Sequence, residues 1–441
     1  MKTFTVLLTA GALLGLMLYH LSGAETLTFT ITPERGKIIR DVGSEVVLRF
    51  DVKGRDSKLR RRAPLNIALV LDRSGSMAGA KLEKARQAAA MVVDRLTSRD
   101  TLSVIVYDDV AEVLVPARKV TDPGAIKRKI SQITDRGSTA LYAGVRLGAD
   151  QLREHLNSEK INRVILLSDG IANVGPSRPQ DLARLGRDLR REGLPVTTIG
   201  LGDDYNEDLM VALAESSAAN YYYVKDTEKL PGIFAEELGR LQNILARNIR
   251  IIIELPEGLE PVEVIGEPEI RFQNRTAEVT VPELYGAQQR SILVRARLTS
   301  PGSKDRLEVA RAQIVYRDEE AGTEKKQSGN ASIELTGDVK VSEASLNGEV
   351  ARELALVSNR VDRERALELV DKGDVVGASS LMKSRAAQNA ALPAAYRSER
   401  LKEETEKISK DADFLDSNGG FDRAGRKAFQ YDNYEQKKQR K

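Results

Sequence analysis

Between Leu65 and about Ala246, short apolar segments alternate with amphipathic ones, and this alternation limits the possible folds more than any other feature of the chain. Asn66 to Leu71, Leu102 to Tyr107, Glu112 to Pro116, Arg163 to Leu167, Val196 to Leu201 and Tyr221 to Val224 have strand length and strand composition. Helical spacing runs through Lys81 to Leu96, Leu141 to Leu156 and Pro179 to Glu192. Strand and helix in alternation predict an α/β unit with a largely parallel sheet, because parallel strands need a crossover and a helix is the usual one.

The flanks read differently. At 441 residues the chain is long enough for roughly two or three domains. Residues 25–63 carry extended segments, Leu27 to Ile31 and Val46 to Val52, punctuated by Gly36, Gly43 and Gly54. Residues 247–340 return to strands with turn residues between them, among them Ile251 to Leu255, Ala277 to Val281, Ile292 to Leu298 and Ala310 to Tyr316, the pattern of a β-sandwich. Two strands alone are unstable. The N-terminal strands are therefore expected to complete that sandwich, with the α/β domain, residues 64–246, inserted between them. Residues 341–415 are helical, with a turn at Lys372-Gly373-Asp374 and a break at Pro393. The polar segment 416–441, with Gly419-Gly420 and a QKKQRK end, is expected to be disordered, and Arg60-Arg61-Arg62 to be a solvated linker.

Charge and rare residues narrow the function. Lys+Arg 68 against Asp+Glu 65 leaves a net charge of +3, which argues against nucleic acid as a partner. There is no cysteine, and only His20 and His155 could supply imidazole. Thiol catalysis, disulfides and Cys/His zinc sites are excluded, and neither histidine sits in a triad or HExxH pattern. Any metal chemistry here uses oxygen ligands.

Residues 1–24 hold Lys2, the apolar run Phe4 to Tyr19, and Ser22-Gly23-Ala24, the layout of a signal peptide with a small-residue cleavage site. An exported protein, periplasmic or secreted, is expected. An uncleaved N-terminal anchor is the alternative, and only in that case is membrane contact expected.

The first strand of the α/β unit runs into Asp72-Arg73-Ser74-Gly75-Ser76-Met77. Gly137-Ser138-Thr139 precedes a second helix, and Ser168-Asp169-Gly170 follows a later strand. All three lie where open α/β sheets bind ligands, at the carboxyl ends of strands or the start of the helix that follows. Read locally, Ser74 and Ser76 could simply cap a helix and Asp169 close a turn. Read together, they resemble the metal-ion-dependent adhesion site of the von Willebrand factor A domain. Asp169 to Gly175, Ile199 to Asp204 and the C-terminal helices further resemble bacterial exported members related to the calcium-activated chloride channel and inter-alpha-trypsin inhibitor heavy chain groups.

The resemblance implies a doubly wound, Rossmann-like sheet with helices on both faces. It implies a divalent cation, Mg²⁺ with Mn²⁺ or Ca²⁺ possible, contacted by the hydroxyls of Ser74, Ser76 and Thr139 and held by Asp72 and Asp169 mainly through water. Ser138 stands where a second glycine is common. A partner protein would offer an Asp or Glu to the ion, and the loops around Ser74, Thr139 and Asp169 would form the contact. Hard oxygen ligands suit such an ion on physical grounds too, and two carboxylates balance its charge without excess. The expected function is non-enzymatic, cation-dependent protein binding. The alternatives are an accessory subunit of an envelope transporter or channel and, less favoured, a metal-assisted hydrolase. The pairs Asp108-Asp109 and Asp203-Asp204 read as turn and cap residues, with a place near the metal rim as the alternative, and His155 as a surface residue.

Overall fold

The computed structural model describes residues 25–56, 62–157, 159–302 and 305–438. The expected export signal and the last three residues lie outside the described residues.

The α/β domain is built on a six-stranded sheet in the order Ala111–Lys119, Thr101–Tyr107, Leu65–Asp72, Ile161–Ser168, Val196–Leu201, Tyr221–Val224. Every pairing is parallel except that of the edge strand Ala111–Lys119 with Thr101–Tyr107. Leu65–Asp72 is buried along its whole length, as a parallel strand covered on both faces should be. Its Ile67, Leu69 and Leu71 share a core with helices Ala80–Arg95 and Leu230–Gln242. Ala68 and Val70 share another with Leu141–Arg153, Pro179–Arg191 and Glu207–Ser216. The chain leaves Leu65–Asp72 toward one sheet edge and returns on its other side as Ile161–Ser168, so the topological switch point lies between these two strands.

The sandwich surrounds this domain in sequence. One sheet has the order Leu27–Pro33, Glu45–Gly54, Gln289–Leu298, Leu259–Val264, and the other Thr276–Tyr285, Ile244–Glu254, Arg306–Asp318, Thr323–Thr336, Lys37–Ile39. The N-terminal segment thus contributes to both sheets, and Leu48, Phe50 and Val52 lie in the same core as Ile249, Ile251 and Ile314. The crossing from domain to sandwich falls at Asn243, since the next strand already begins at Ile244. Arg163, at the amino end of its strand, reaches across this boundary to both carboxylate oxygens of Glu283 at 2.6 and 2.7 Å.

Helices Gly348–Asp371, Val375–Ala391 and Glu399–Asn418 form the C-terminal region. Val350 and Val357 of the first pack on Val47, Ile265 and Leu293 of the sandwich. Two linker expectations are corrected here. Of the expected disordered tail 416–441, residues 416–438 are ordered: Gly419 closes the third helix in the left-handed region, and a further helix, Arg423–Lys437, begins at the Asp422 cap. Its charges obscured an amphipathic pattern. Phe429 enters the helical core, Tyr434 docks on the α/β domain with its hydroxyl 2.8 Å from the Ala219 carbonyl, and Arg426 pairs with Glu207, Asp208 and Asp371. Of the Arg60-Arg61-Arg62 cluster, Arg60 and Arg61 lie outside the described residues, and Arg62 is not a solvated linker residue, because both of its terminal nitrogens bind the buried Asp100 carboxylate.

Candidate metal centre

At the switch point, Asp72 ends one strand, Ser168 ends its neighbour, and Asp169 follows directly. Asp72 is fully buried. Its Oδ1 accepts the Ser74 backbone N–H at 2.8 Å and its Oδ2 the Ser168 hydroxyl at 2.7 Å. Burial pushes the Asp72 carboxyl up to about 6, although the hydrogen bonds from Ser74 and Ser168 work the other way. A cation placed beside it would favour the ionised form.

After Asp72 the chain turns through a short helical turn, Gly75–Met77, before the helix Ala80–Arg95 starts at Gly79 with φ +75°. That positive φ suits glycine and lets the loop fold back over the strand end. The Ser76 hydroxyl donates to Asp169 Oδ1 at 2.7 Å and lies 3.0 Å from the Ser74 hydroxyl. A methyl group placed on Gly170 would come within 3.1 Å of Ser76 Oγ, 3.3 Å of Thr139 Oγ1 and 3.9 Å of Ser74 Oγ. Three hydroxyl oxygens on two loops therefore converge beside Gly170, with two buried carboxylates behind them. This donor set fits a hard divalent cation: every ligand is oxygen, and the acidic groups number two. Among the described residues no cluster of three His, Cys, Asp or Glu side chains is arranged to hold a metal, so a site here depends on the hydroxyls.

Comparison with known proteins agrees with the fold. Residues 66–236 match the von Willebrand factor type A domain. Uncharacterized protein sll0103 of Synechocystis is 30% identical over 291 residues, 63% of this chain and 68% of the relative. The chain belongs to the von Willebrand factor type A domain proteins. Uncharacterized protein YfbK of Escherichia coli is 25% identical over 53% of this chain, and rat inter-alpha-trypsin inhibitor heavy chain H3 is 28% identical over 44%. The matched regions span 40% and 22% of those two proteins. Among solved structures, a von Willebrand factor type A protein from Catenulispora acidiphila superposes with TM-score 0.66 at 17% identity, covering 90% of this chain and 98% of that one. The ArnB paralog VWA2 from Sulfolobus acidocaldarius gives 0.59 at 17%, covering 94% and 99%. The shared fold therefore extends over the sandwich and the helices as well as the von Willebrand A domain.

Within that domain the structure brings Asp72, Ser74, Ser76, Thr139 and Asp169 to one place. The simple capping reading does not describe them. Ser74 stands before the Gly75–Met77 turn with no side-chain cap bond, the next helix is preceded by Gly79, and the helix after Thr139 is preceded by Ala140.

Of the residues that hold the site together, Arg73, Arg136 and Glu112 carried no sequence signal. Arg73 and Arg136 each bind Asp108, at 2.6 and 2.8 Å, and each binds Glu112, at 2.8 and 2.7 Å. Burial disfavours an ionised Asp108, yet the two arginines and the Val110 N–H hold its carboxyl below the usual range. The loops are also stitched by backbone bonds from Gly75 N–H to the Gly137 carbonyl and from Arg136 N–H to the Arg73 carbonyl. Asp109 accepts the Ser138 N–H and Asn173 the Thr139 N–H. Asp108 and Asp109 are turn residues, as their type suggested, but the turn they make is a wall of the site. Asp203 accepts the Tyr223 hydroxyl, and His155 lies just beyond its helix with Nε2 3.2 Å from the Ala117 carbonyl.

Proposed function

We propose that this protein is a non-enzymatic, divalent-cation-dependent protein-binding module, exported from the cell, whose von Willebrand A metal site captures an acidic side chain of a partner. The observation that carries this reading is the convergence of the Ser74, Ser76 and Thr139 hydroxyls beside Gly170 at the switch point, none of them engaged in capping the helix that follows. The Ser76 hydroxyl donates a hydrogen bond to Asp169, which ties the first hydroxyl-bearing loop to the strand end that carries Asp169. Ser74, Ser76 and Thr139 would hold Mg²⁺, with Asp72 and Asp169 balancing its charge. The ion supplies an electrophilic point for a carboxylate, and neutral direct ligands leave that attraction strong. The cage of Arg73, Arg136, Asp108 and Glu112 fixes the spacing of the two hydroxyl-bearing loops before anything binds.

Exposed Ile171 and Val110 stand on the loops that carry Asp169 and Asp109 and give the rim apolar surface, a composition that suits a protein partner. Export rests on the 1–24 segment. Among the described residues no helix is long and apolar enough to cross a membrane. The test is crosslinking in the cell envelope with wild type beside Asp72→Ala and Thr139→Ala. A protein captured with Mg²⁺, lost in EDTA and lost in both variants supports the proposal. Capture unchanged by EDTA and by both substitutions overturns it.

A further inference from the structure

One cation is already at the centre, supplied by the chain. Lys81 is the second residue of helix Ala80–Arg95, and its Nζ lies 2.5 Å from Asp169 Oδ2, the oxygen not used by Ser76. Asp169 is fully buried and the Lys81 side chain is only 27% exposed, so the pair is screened far less than a surface salt bridge. The position is locally unfavourable for a lysine. A helix N-terminus carries partial positive charge and prefers an acidic residue in its first turn. The other charged residues near this helix start are engaged elsewhere: Lys84 pairs with Glu228, and Glu83 accepts from Gln87. What offsets the cost at Lys81 is Asp169.

We infer that Lys81 is a tethered counter-cation of the metal centre, weakening its hold on the divalent ion while giving the loaded centre a net positive charge that attracts an acidic ligand. This rests on the metal-dependent reading above. The arithmetic is simple. Asp72, Asp169 and Lys81 together carry −1, so a divalent ion raises the centre to +1, whereas the two carboxylates without Lys81 would leave it neutral. The neighbouring cage of two arginines and two carboxylates adds nothing to this balance. Lys81 therefore acts with opposite sign on the two binding events. It repels the ion and competes for an Asp169 oxygen, and it then favours the incoming carboxylate. Lys81 is a positioning residue here, acting through Asp169 and through its charge.

The discriminating experiment uses the full chain and three forms, wild type, Lys81→Met and Lys81→Arg. Mg²⁺ alone is titrated calorimetrically, and a Glu-rich peptide is then bound at saturating Mg²⁺ and low salt, with Asp72→Ala as the blank. Removing the charge while keeping the alkyl chain should tighten Mg²⁺ binding by about tenfold and weaken peptide binding by a similar factor. Lys81→Arg, which keeps the charge, should stay within about threefold of wild type in both. A purely structural lysine would move both affinities the same way, together with the melting temperature. If wild type binds Mg²⁺ but Lys81→Met matches it, or if both affinities fall together, the inference is overturned and the metal reading stands. If wild type binds no Mg²⁺, both fall.

Discussion

The two ends of the von Willebrand A sheet both bury charge, and they treat it in opposite ways. At the amino end Arg163 is completely buried between Glu283 of the sandwich and Glu237 of its own domain. Glu237 accepts from Thr197, Asn220 and Tyr222 at 2.5, 2.7 and 2.8 Å, and Glu283 also accepts from Tyr285. Burial works against the Arg163 charge, and the two carboxylates more than offset it. At the carboxyl end Asp72 keeps a carboxyl raised to about 6, because two hydrogen bonds do not compensate for its burial, and three hydroxyls meet at a point that belongs to no helix cap. The first cluster is closed in its charges, although Arg163 Nε stays buried without a hydrogen-bond partner, and it fastens two domains. The second is open in its charges: Asp169 is paired by Lys81, but Asp72 enters no ion pair among the described residues.

The comparison makes graded predictions. The largest concerns the closed end: Arg163→Met leaves Glu237 and Glu283 buried without their cation and should cost about 3–5 kcal/mol in urea unfolding, with or without Mg²⁺. A small loss would mean that water reaches this boundary. Next, Mg²⁺ at a hundredfold excess over its dissociation constant should stabilise the EDTA-treated wild type by about 2.7 kcal/mol. Thr139→Ala should show no such gain, whereas an Arg163 variant that still folds should keep it.

Third, Asp72→Asn removes an uncompensated buried charge. In EDTA at pH 7 it should raise stability by on the order of 2 kcal/mol, read as a higher melting temperature, while abolishing the Mg²⁺ response. A lower melting temperature would show that Asp72 is stabilising without metal. The smallest effect is a pH dependence at the closed end. Burial opposes ionisation of Asp100, but Arg62 and the N–H groups of Leu65 and Thr97 hold its carboxyl at about 2. That is below its unfolded value of about 4, so its stabilisation is complete above about pH 4 and lost as pH falls toward 2. The stability gap between wild type and Asp100→Asn, about 1–2 kcal/mol at pH 7, should narrow only across that window. A gap that is constant with pH would point to packing instead.

How much was legible in the sequence follows from how local each signal is. Asp72, Ser74 and Ser76 lie within five residues, and Thr139 and Asp169 each sit in a short pattern at an element end, so period and punctuation exposed them. Lys81, Arg73, Arg136 and Glu112 meet the site only in space, and a charged residue in a charged chain carries no mark of its partner. The N-terminal strands were readable because a pair of strands needs a sheet to join. Lys37–Ile39 was not, since three residues paired parallel to Thr323–Thr336 leave no periodic trace. The final helix was missed for a composition reason: Phe429 and Tyr434 are sparse among charges, and those charges turned out to be ion-paired rather than solvated.

The central claim is that the open end of the sheet is a metal centre, and calorimetric titration of Mg²⁺ into the EDTA-treated full chain, wild type beside Thr139→Ala, tests it most directly. One ion per chain bound by wild type and none by Thr139→Ala is the predicted result. No binding by wild type, or undiminished binding after the Thr139 hydroxyl is removed, would contradict it.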